Sequence, residues 1–470
     1  MKLAISRKNL WQATPVAVKR GLGGLLSLAP VPLLLGRRFR EHARFVAGAQ
    51  WWPAERAREY QLERLRQVVA LACEKTSFYR RAFAAAGFAP ADLRSLEDLS
   101  RLPTIDKDTL RAHLGEMCAV SPRAPGVDYV STGGTSGVPF SFYIGASRSA
   151  EEYAYLVSGW ERAGFRLGTS LAVFRGRVVE EDGRGLRHEY DPLLRHHYYS
   201  NFHMTDDDMR RYIEHVRGIG PCYLHVYPSS GAALARLALR AGLERLANVR
   251  GVIAESEQVL PDQRVLIERV FGARLFSSYG HSEKLVLAAE CESSTDYHVW
   301  PTYGYFELLD PEGRPVTVPG ERGEITGTGF INRVVPFIRY RTGDFATLVG
   351  QGCRACGRDQ LLIRDVQGRW PAGCLVARDG SMITMTALNV HDDTFERVRQ
   401  YQFGQDEPGR AELRVVPAAA FSDDDGRRLL ASLERKLQGR VALALRFVER
   451  IEPTPRGKHV LVDQRIHGAD

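Results

Sequence analysis

The sequence predicts a mixed α/β fold: a large N-terminal domain of helix-covered mixed sheets with a β-rich subdomain, then a small α+β C-terminal domain. Three observations carry that expectation. Between 150 and 290, strand-like stretches such as SLAVFRG, CYLHVYPSS, VRGVIAES and RLFSSYG alternate with helical ones such as SSGAALARLALRAGLERLAN and LPDQRVLIERVFG. That alternation is the mark of a mixed or parallel sheet covered by helices. From 300, YGYFELLDPEGRPVTVPGERGEITGTGF reads as antiparallel hairpins around DPEGRP. Near 370 a smaller unit begins, with RAELRVVPAA and VALALRFVERI as strands on either side of a helix. That helix starts at Ser422, uses Asp425 as a box-like cap and ends at Gly439. Val441, Leu443, Leu445 and Phe447 alternate onto one face of the last strand. The expected divisions are 1–55 as an N-terminal extension, 56–369 as the large domain and 370–470 as the small one.

The earlier elements follow from the same rules. Residues 57–90 space their apolar side chains three and four apart, which predicts a helical stretch. LPTIDKDTLR (102–111) is a loop entering a helix, with Asp106 as its cap. The runs VDYV and FSFYI are short strands that flank STGGTSGVPF (131–140). Residues 21–36, GLGGLLSLAPVPLLLG, are apolar but shorter than the roughly 20 residues that span a bilayer. Pro30 and Pro32 interrupt a helix there, and no small-residue cleavage site follows. The segment is expected to pack on the domain surface, with peripheral membrane contact through its flanking arginines as the alternative.

Composition sets the class. At 470 residues, 44% hydrophobic and 26% charged, the chain is an ordinary globular protein large enough for more than one domain. Its formal charge of +8 is dispersed, without a basic run. That favours anionic small molecules over nucleic acid, for which no binding motif is present. Seven cysteines, an odd number, fit a reducing compartment and a cytoplasmic protein, with the inner membrane face as the peripheral alternative.

The stretch STGGTSGVPF has the composition of a phosphate cradle. Gly133, Gly134 and Gly137 allow close approach of backbone amides, and Ser131, Thr132, Thr135 and Ser136 add hydroxyl donors. It lacks the lysine of a P-loop. Four further stretches accompany it in order: SSYGHSE (277–283), RYRTGD (339–344), IRDVQGR (363–369) and PTPRGK (453–458). Singly, each has a plainer reading: Asp344 as a turn cap, Lys458 as a solvated turn residue, Glu283 as a surface acid, Arg369 as a partner of Asp365.

Together, in this order, they resemble the core motifs of the adenylate-forming ligases, which activate a carboxylate with ATP as an acyl-AMP. LPTIDKDTLR, YPSSGAALARLA and PFIRYRTGD are similar to the phenylacetate–CoA ligase branch and its relatives from capsular polysaccharide clusters. The resemblance runs from about residue 55 to 465 and makes 56–369 the adenylation domain and 370–470 its mobile lid. It implies that the 131–137 loop holds the β- and γ-phosphates and that Glu283 ligates Mg²⁺. It also implies that Tyr279 and Gly280 lie along the adenine and that Asp344 accepts the ribose hydroxyls. Arg369 would contact ribose or phosphate, and Lys458 would bridge the α-phosphate and the attacking carboxylate. Only eight of the 64 basic residues are lysine, so an ammonium at Lys458 stands out. The chain departs from the pattern at Pro371, where the family has an acidic hinge, at Phe140 after the glycine loop, and at AESE (254–257).

Cys353 and Cys356 form a C-x2-C turn, and Cys291 and His298 bracket six residues upstream. The two pairs predict a Cys₃His structural zinc site, with one C-x2-C turn beside an unrelated Cys and His as the alternative. The function expected is activation of a small carboxylic acid, aromatic acids among the candidates, with ATP and Mg²⁺, then acyl transfer, with CoA as acceptor. Tyr223, His225 and Tyr227 are either its pocket lining or core packing. Transfer to an amine or sugar hydroxyl is one alternative; a low-turnover nucleotide-binding scaffold of an envelope-polysaccharide complex is the other.

Overall fold

Alternating apolar runs become strands largely where the sequence places them in the computed structural model, which describes residues 14, 29–132, 140–243, 246–368, 373–388, 393–395, 397–452 and 460–466. The class is mixed α/β, as expected. The chain divides into two units. One joins Met1–Tyr129, Phe142–Gly168 and Phe276–Gly368; the other joins Val130–Ser141, Thr169–Leu275 and Arg369–Asp470.

In the first unit the strands lie in the spatial order Gly304–Leu309, Arg322–Gly329, Tyr340–Gln351, Leu361–Gln367, Tyr297–Val299, Leu287–Ala289 and Leu275–Gly280. Each neighbouring pair is antiparallel. The hairpin around DPEGRP forms, its turn closed by the Arg314 amide on Asp310 Oδ1 at 2.8 Å. Gly304 is required by close approach, because a Cβ there would stand 2.0 Å from the carbonyl oxygen of Leu285. Helix Arg37–Ala49 packs on helix Arg148–Glu161, with Phe39 and Tyr153 rings 5.6 Å apart. Tyr155 then carries the contact inward to Trp300 at 5.8 Å.

The stretch expected to be helical over 57–90 is two helices, Ala54–Lys75 and Ser77–Ala85. Thr76 breaks them. Its backbone is extended, and its Oγ1 donates to the Ala72 carbonyl (2.7 Å) while accepting the Tyr79 amide (3.3 Å). A hydroxyl that satisfies both the old helix end and the new helix start makes the turn cheap at that residue. Asp106 caps Lys107–His113 as expected, accepting the Thr109 amide at 2.8 Å. Of the apolar stretch 21–36, residues 21–28 lie outside those described. Val31–Leu34 is a short helix with Val31 buried and Leu33 exposed. No helix among the described residues is long and apolar enough to cross a membrane.

In the second unit the strands Val249–Ala254, Cys222–Val226, Ser170–Phe174 and His196–Tyr199 run parallel, edged by antiparallel His188–Asp191. Helices Asp206–Gly218, Pro228–Arg240 and Pro261–Phe271 bury their apolar faces in the same core. The C-terminal part builds a second sheet in the order Ala442–Phe447, Arg410–Pro417, Val398–Glu407, Val462–Gln464. Helix Asp423–Leu437 starts at the Ser422–Asp425 capping box and stops before Gln438 and Gly439, both left-handed. The alternation expected of Val441, Leu443, Leu445 and Phe447 holds only for its first half. Val441 and Leu443 are buried and Leu445 partly so, but Phe447 is exposed, its ring 5.4 Å from that of Phe421 where the strand leaves the core.

A buried ion pair braces the first unit. Arg339, 3% exposed, donates to both carboxylate oxygens of Glu307 at 3.0–3.2 Å and to the carbonyls of Ser100 and Leu102 at 2.9 and 2.5 Å. Burial raises the Glu307 carboxyl above its ordinary value, against the pull of Arg339, so the pair costs desolvation and chiefly specifies arrangement. Glu307→Ala should destabilise the protein by about 3 kcal/mol in urea unfolding by leaving a buried guanidinium unpaired. Adding Arg339→Met should recover part of that loss.

Candidate functional site

Asp344 owes its position to a break in a ladder. Strand Tyr340–Gln351 pairs Arg341 with Thr326 and Phe345 with Glu324, so Ile325 alone faces Thr342, Gly343 and Asp344. The excess residues bulge outward. Gly343 makes the bend with φ 74°, its amide on Glu324 Oε1 at 2.9 Å. Thr342 Oγ1 donates to the Ile325 carbonyl at 2.7 Å and accepts the Asp344 amide at 3.1 Å. The TGD triplet is thus a device for lifting one carboxylate off a sheet.

Tyr279, on strand Leu275–Gly280, donates its hydroxyl to Asp344 Oδ2 at 2.9 Å. Burial, then the Asp344 charge, pushes this phenol well above its ordinary value, so it remains a donor. Gly280 closes the strand and is exposed. Three residues on, Glu283 is buried at 5% exposure. Its Oε1 accepts from the Tyr340 hydroxyl (3.1 Å) and its Oε2 from His281 Nδ1 (3.2 Å). Burial alone would raise this carboxyl; the His281 hydrogen bond and the charges of His281 and Lys107 outweigh it and hold the group at about 2. Glu283 is therefore a buried, ionised hard oxygen ligand, which suits a divalent cation such as Mg²⁺.

The second unit holds a separate polar cluster. Arg175 donates to Glu255 Oε2 (2.8 Å), His225 Nε2 (2.7 Å) and Ser256 Oγ (2.5 Å), and its guanidinium stands 5.2 Å from the Tyr227 ring centroid. Ser256 takes φ 68° in the AESE turn, a left-handed position that glycine adopts without strain. Glu257 accepts the Ser229 amide at the start of helix Pro228–Arg240 (3.0 Å). His225 and Tyr227 belong to this cluster, and Tyr223 is buried on the same strand.

The structure brings Tyr279, Gly280, Glu283 and Asp344 together within one unit. Ser131 and Thr132 end the strand Val127–Thr132. Gly133, Gly134, Thr135, Ser136, Gly137, Arg369, Pro371 and Lys458 lie outside the described residues.

The four predicted zinc ligands converge. The Cys291, His298, Cys353 and Cys356 ligand atoms all lie within 4.8 Å of one another. The Cys291 sulfur accepts the Ser293 and Ser294 amides (3.4 and 3.2 Å), and the Cys353 carbonyl accepts the Gly357 amide (2.8 Å), so each turn wraps its thiol. His298 Nδ1 is engaged by the Asp296 carbonyl (3.0 Å), which leaves Nε2 facing Cys356 at 3.3 Å. Arg162, buried nearby over Trp300, bonds the Ala289 carbonyl and the Gln360 side chain. Three thiolates around a divalent ion leave a net negative charge that a buried guanidinium balances, so the set fits zinc.

Known proteins resemble the chain in sequence and in fold. No protein-family model matches the chain. A phenylacetate-coenzyme A ligase of Thermus thermophilus is 26% identical over 397 residues, 81% of this chain and 85% of its own length. Protein CapK of Staphylococcus aureus is 22% identical over 375 residues, 77% of this chain and 80% of its own. Among solved structures, a 2-hydroxyisobutyryl-CoA ligase with 2-HIB-AMP and CoA in its thioesterification state shares the fold: TM-score 0.57, 22% identity, covering 88% of this chain and 93% of the other. By sequence the chain is similar to phenylacetate–CoA ligases, and it shares the fold of an acyl-CoA ligase. These likenesses support the resemblance to the phenylacetate–CoA ligase-like branch of the adenylate-forming ligases.

Sequence reasoning found the acids but missed their supports. Tyr340, Thr342 and Arg339 sit inside or beside RYRTGD, yet no spacing rule distinguishes them from ordinary strand residues. Arg175 lies at a strand end with no motif, and the AESE turn was read only as a departure from the family pattern. Gly343→Ala should cost about 1–2 kcal/mol, since a side chain at that φ is strained. A denaturant melt checks this, with Gly439→Ala in the other unit, also at positive φ and with open space around it, as the comparison.

Proposed function

We propose that the chain is an AMP-forming acid–CoA ligase that activates a small carboxylic acid, aromatic acids being the first class to test. The observation that carries this reading is the pairing of Tyr279 with Asp344 on the TGD bulge, beside an ionised, buried Glu283. Two carboxylates near one aromatic ring suit a nucleotide: one for vicinal hydroxyls, one for the cation that accompanies phosphates.

In the first half-reaction an acid oxygen attacks the α-phosphorus of ATP, and pyrophosphate leaves. Asp344 would accept both ribose hydroxyls, held in aim by Tyr279, while the Tyr279–Gly280 segment lies along the adenine. Mg²⁺ at Glu283 would supply charge shielding for the phosphates. The 131–137 loop would hold the β- and γ-phosphates through amides, and Arg369 would contact ribose or phosphate. Lys458 would neutralise charge as the new bond forms. In the second half-reaction the CoA sulfur attacks the acyl carbonyl and AMP leaves. The reaction is assigned to the cytoplasm, where ATP and CoA are available. Cys291, His298, Cys353 and Cys356 would hold a structural zinc that braces the strands beside Asp344.

Carboxylate-dependent exchange of labelled pyrophosphate into ATP, over a panel of acids, tests the first half-reaction. The parent should exchange, and Lys458→Ala should lose about 100-fold or more. Asp344→Ala should weaken ATP binding about tenfold. Addition of CoA to an exchanging reaction should yield a thioester. ATP binding without exchange for any acid would overturn the reading. Metal analysis after extensive dialysis should find about one tightly held zinc per chain. It should vanish in Cys353→Ser, with a lowered melting temperature.

A further inference from the structure

Five of the chain's 13 histidines fall between residues 188 and 215, a stretch that none of the motifs discussed above includes. Three of them meet in the second unit. His188 lies on strand His188–Asp191, His197 on its antiparallel neighbour His196–Tyr199, and His215 near the end of helix Asp206–Gly218. The register pairs His188 with Tyr199 and Tyr190 with His197, which sets His188 and His197 diagonally on one sheet face. The helix lays His215 over that face. Ring centroids of His188 and His215 are 4.2 Å apart, and one ring nitrogen of each of the three lies within 4.8 Å of the other two.

Such a cluster is a poor way to fill space. A neutral imidazole carries one donor and one lone pair, so each of the three rings can turn one lone pair toward a common centre. His188 Nε2 and His197 Nδ1 stand 3.0 Å apart, aimed at each other. Two nitrogens on a tetrahedral ion at the usual 2.0–2.1 Å are separated by about 3.3 Å, so a shift of a few tenths admits a metal between them. The third ring is already oriented. Tyr199, fully buried, has its hydroxyl 2.7 Å from His215 Nδ1. If that phenol accepts the Nδ1 proton, the Nε2 lone pair is presented as a ligand, the usual partnership of a metal-binding histidine. The carboxylate of Asp182, tied to the Arg184 and Leu186 amides at 2.9 Å, supplies negative charge close by. All three histidines are half-buried, so an ion can reach them from water.

We propose that His188, His197 and His215 form a second metal site, for a divalent first-row transition ion and Zn²⁺ in particular, held by three imidazole nitrogens with its fourth position open to water. The all-nitrogen set distinguishes it from the thiolate cluster, whose four protein ligands close the coordination shell. Bound there, the ion ties the edge pair of strands to the helix Asp206–Gly218. The proposal does not depend on the ligase reading, since it involves none of the residues assigned to that chemistry.

Zn²⁺ titration of the metal-stripped full chain against a chromophoric chelator tests it. The parent should take up about two equivalents. The Cys353→Ser/Cys356→Ser variant should keep one and the His188→Ala/His197→Ala variant should keep the other. Tyr199→Phe should weaken the histidine site about tenfold while leaving the rings in place. A measurement on the unmutated protein guards against misfolded variants. Zn²⁺ added beyond the first equivalent should protect His188, His197 and His215 from carbethoxylation by diethyl pyrocarbonate, read by peptide mass. The proposal is overturned if the parent binds only the zinc lost in the cysteine variant, or if carbethoxylation of the three histidines is the same with and without Zn²⁺.

Discussion

The arrangement of the first unit depends on a cation that water does not reach. Arg339 is buried against Glu307, and its remaining donors reach the carbonyls of Ser100 and Leu102. A guanidinium in that position tolerates little displacement, because each lost partner leaves a charged donor without solvent. Its own backbone is pinned as well: its amide donates to Thr328 Oγ1, and its carbonyl accepts the Ile105 amide. The residues just downstream inherit that fixity. Tyr340, the next in the chain, reaches Glu283; Asp344, five positions on, reaches Tyr279. Two acids destined for different tasks are thus referenced to one buried charge.

The two acids illustrate how environment assigns roles to like groups. Glu283 is enclosed and accepts hydrogen bonds from a tyrosine and a histidine, which keep it ionised despite burial. Asp344 is half-buried on a bulge, with one oxygen committed to a phenol that holds its proton. A closed site favours a cation with strict geometry, and an open one favours an organic ligand that approaches from solvent.

Much of this was legible in the sequence, for identifiable reasons. Strands with apolar alternation, the Asp106 and Ser422 caps and the DPEGRP turn follow local rules that act within a few residues. The C-x2-C turn and the Cys291/His298 pair were legible because soft ligands are few in this chain and their spacing is distinctive. The order of the short motifs carried the family resemblance, because several plain causes would otherwise have to recur together in one sequence. The features that escaped reading were long-range or ambivalent. The break at Thr76 depends on a hydroxyl choosing between two helices. The exposure of Phe447 depends on where a sheet ends, which alternation alone does not reveal. Arg339 and Arg175 look like any other arginine among the many here, since their importance comes from partners far away in the chain. The three-histidine cluster escaped for the same reason: two neighbouring strands and a later helix had to be placed before its members met.

The bulge at Thr342–Asp344 has a further consequence for how this chain can change in length. One residue deleted between Arg339 and Asp344 would rotate the following side chains to the opposite face of the strand. Tyr340 and Asp344 could then no longer both keep their appointments. The turn at Asp310–Gly313 exposes its tip, Pro311 and Glu312, and joins the same sheet without carrying either acid. Insertions should accumulate there over evolutionary time, while the short span between the buried arginine and the lifted carboxylate behaves as a ruler whose length is not negotiable.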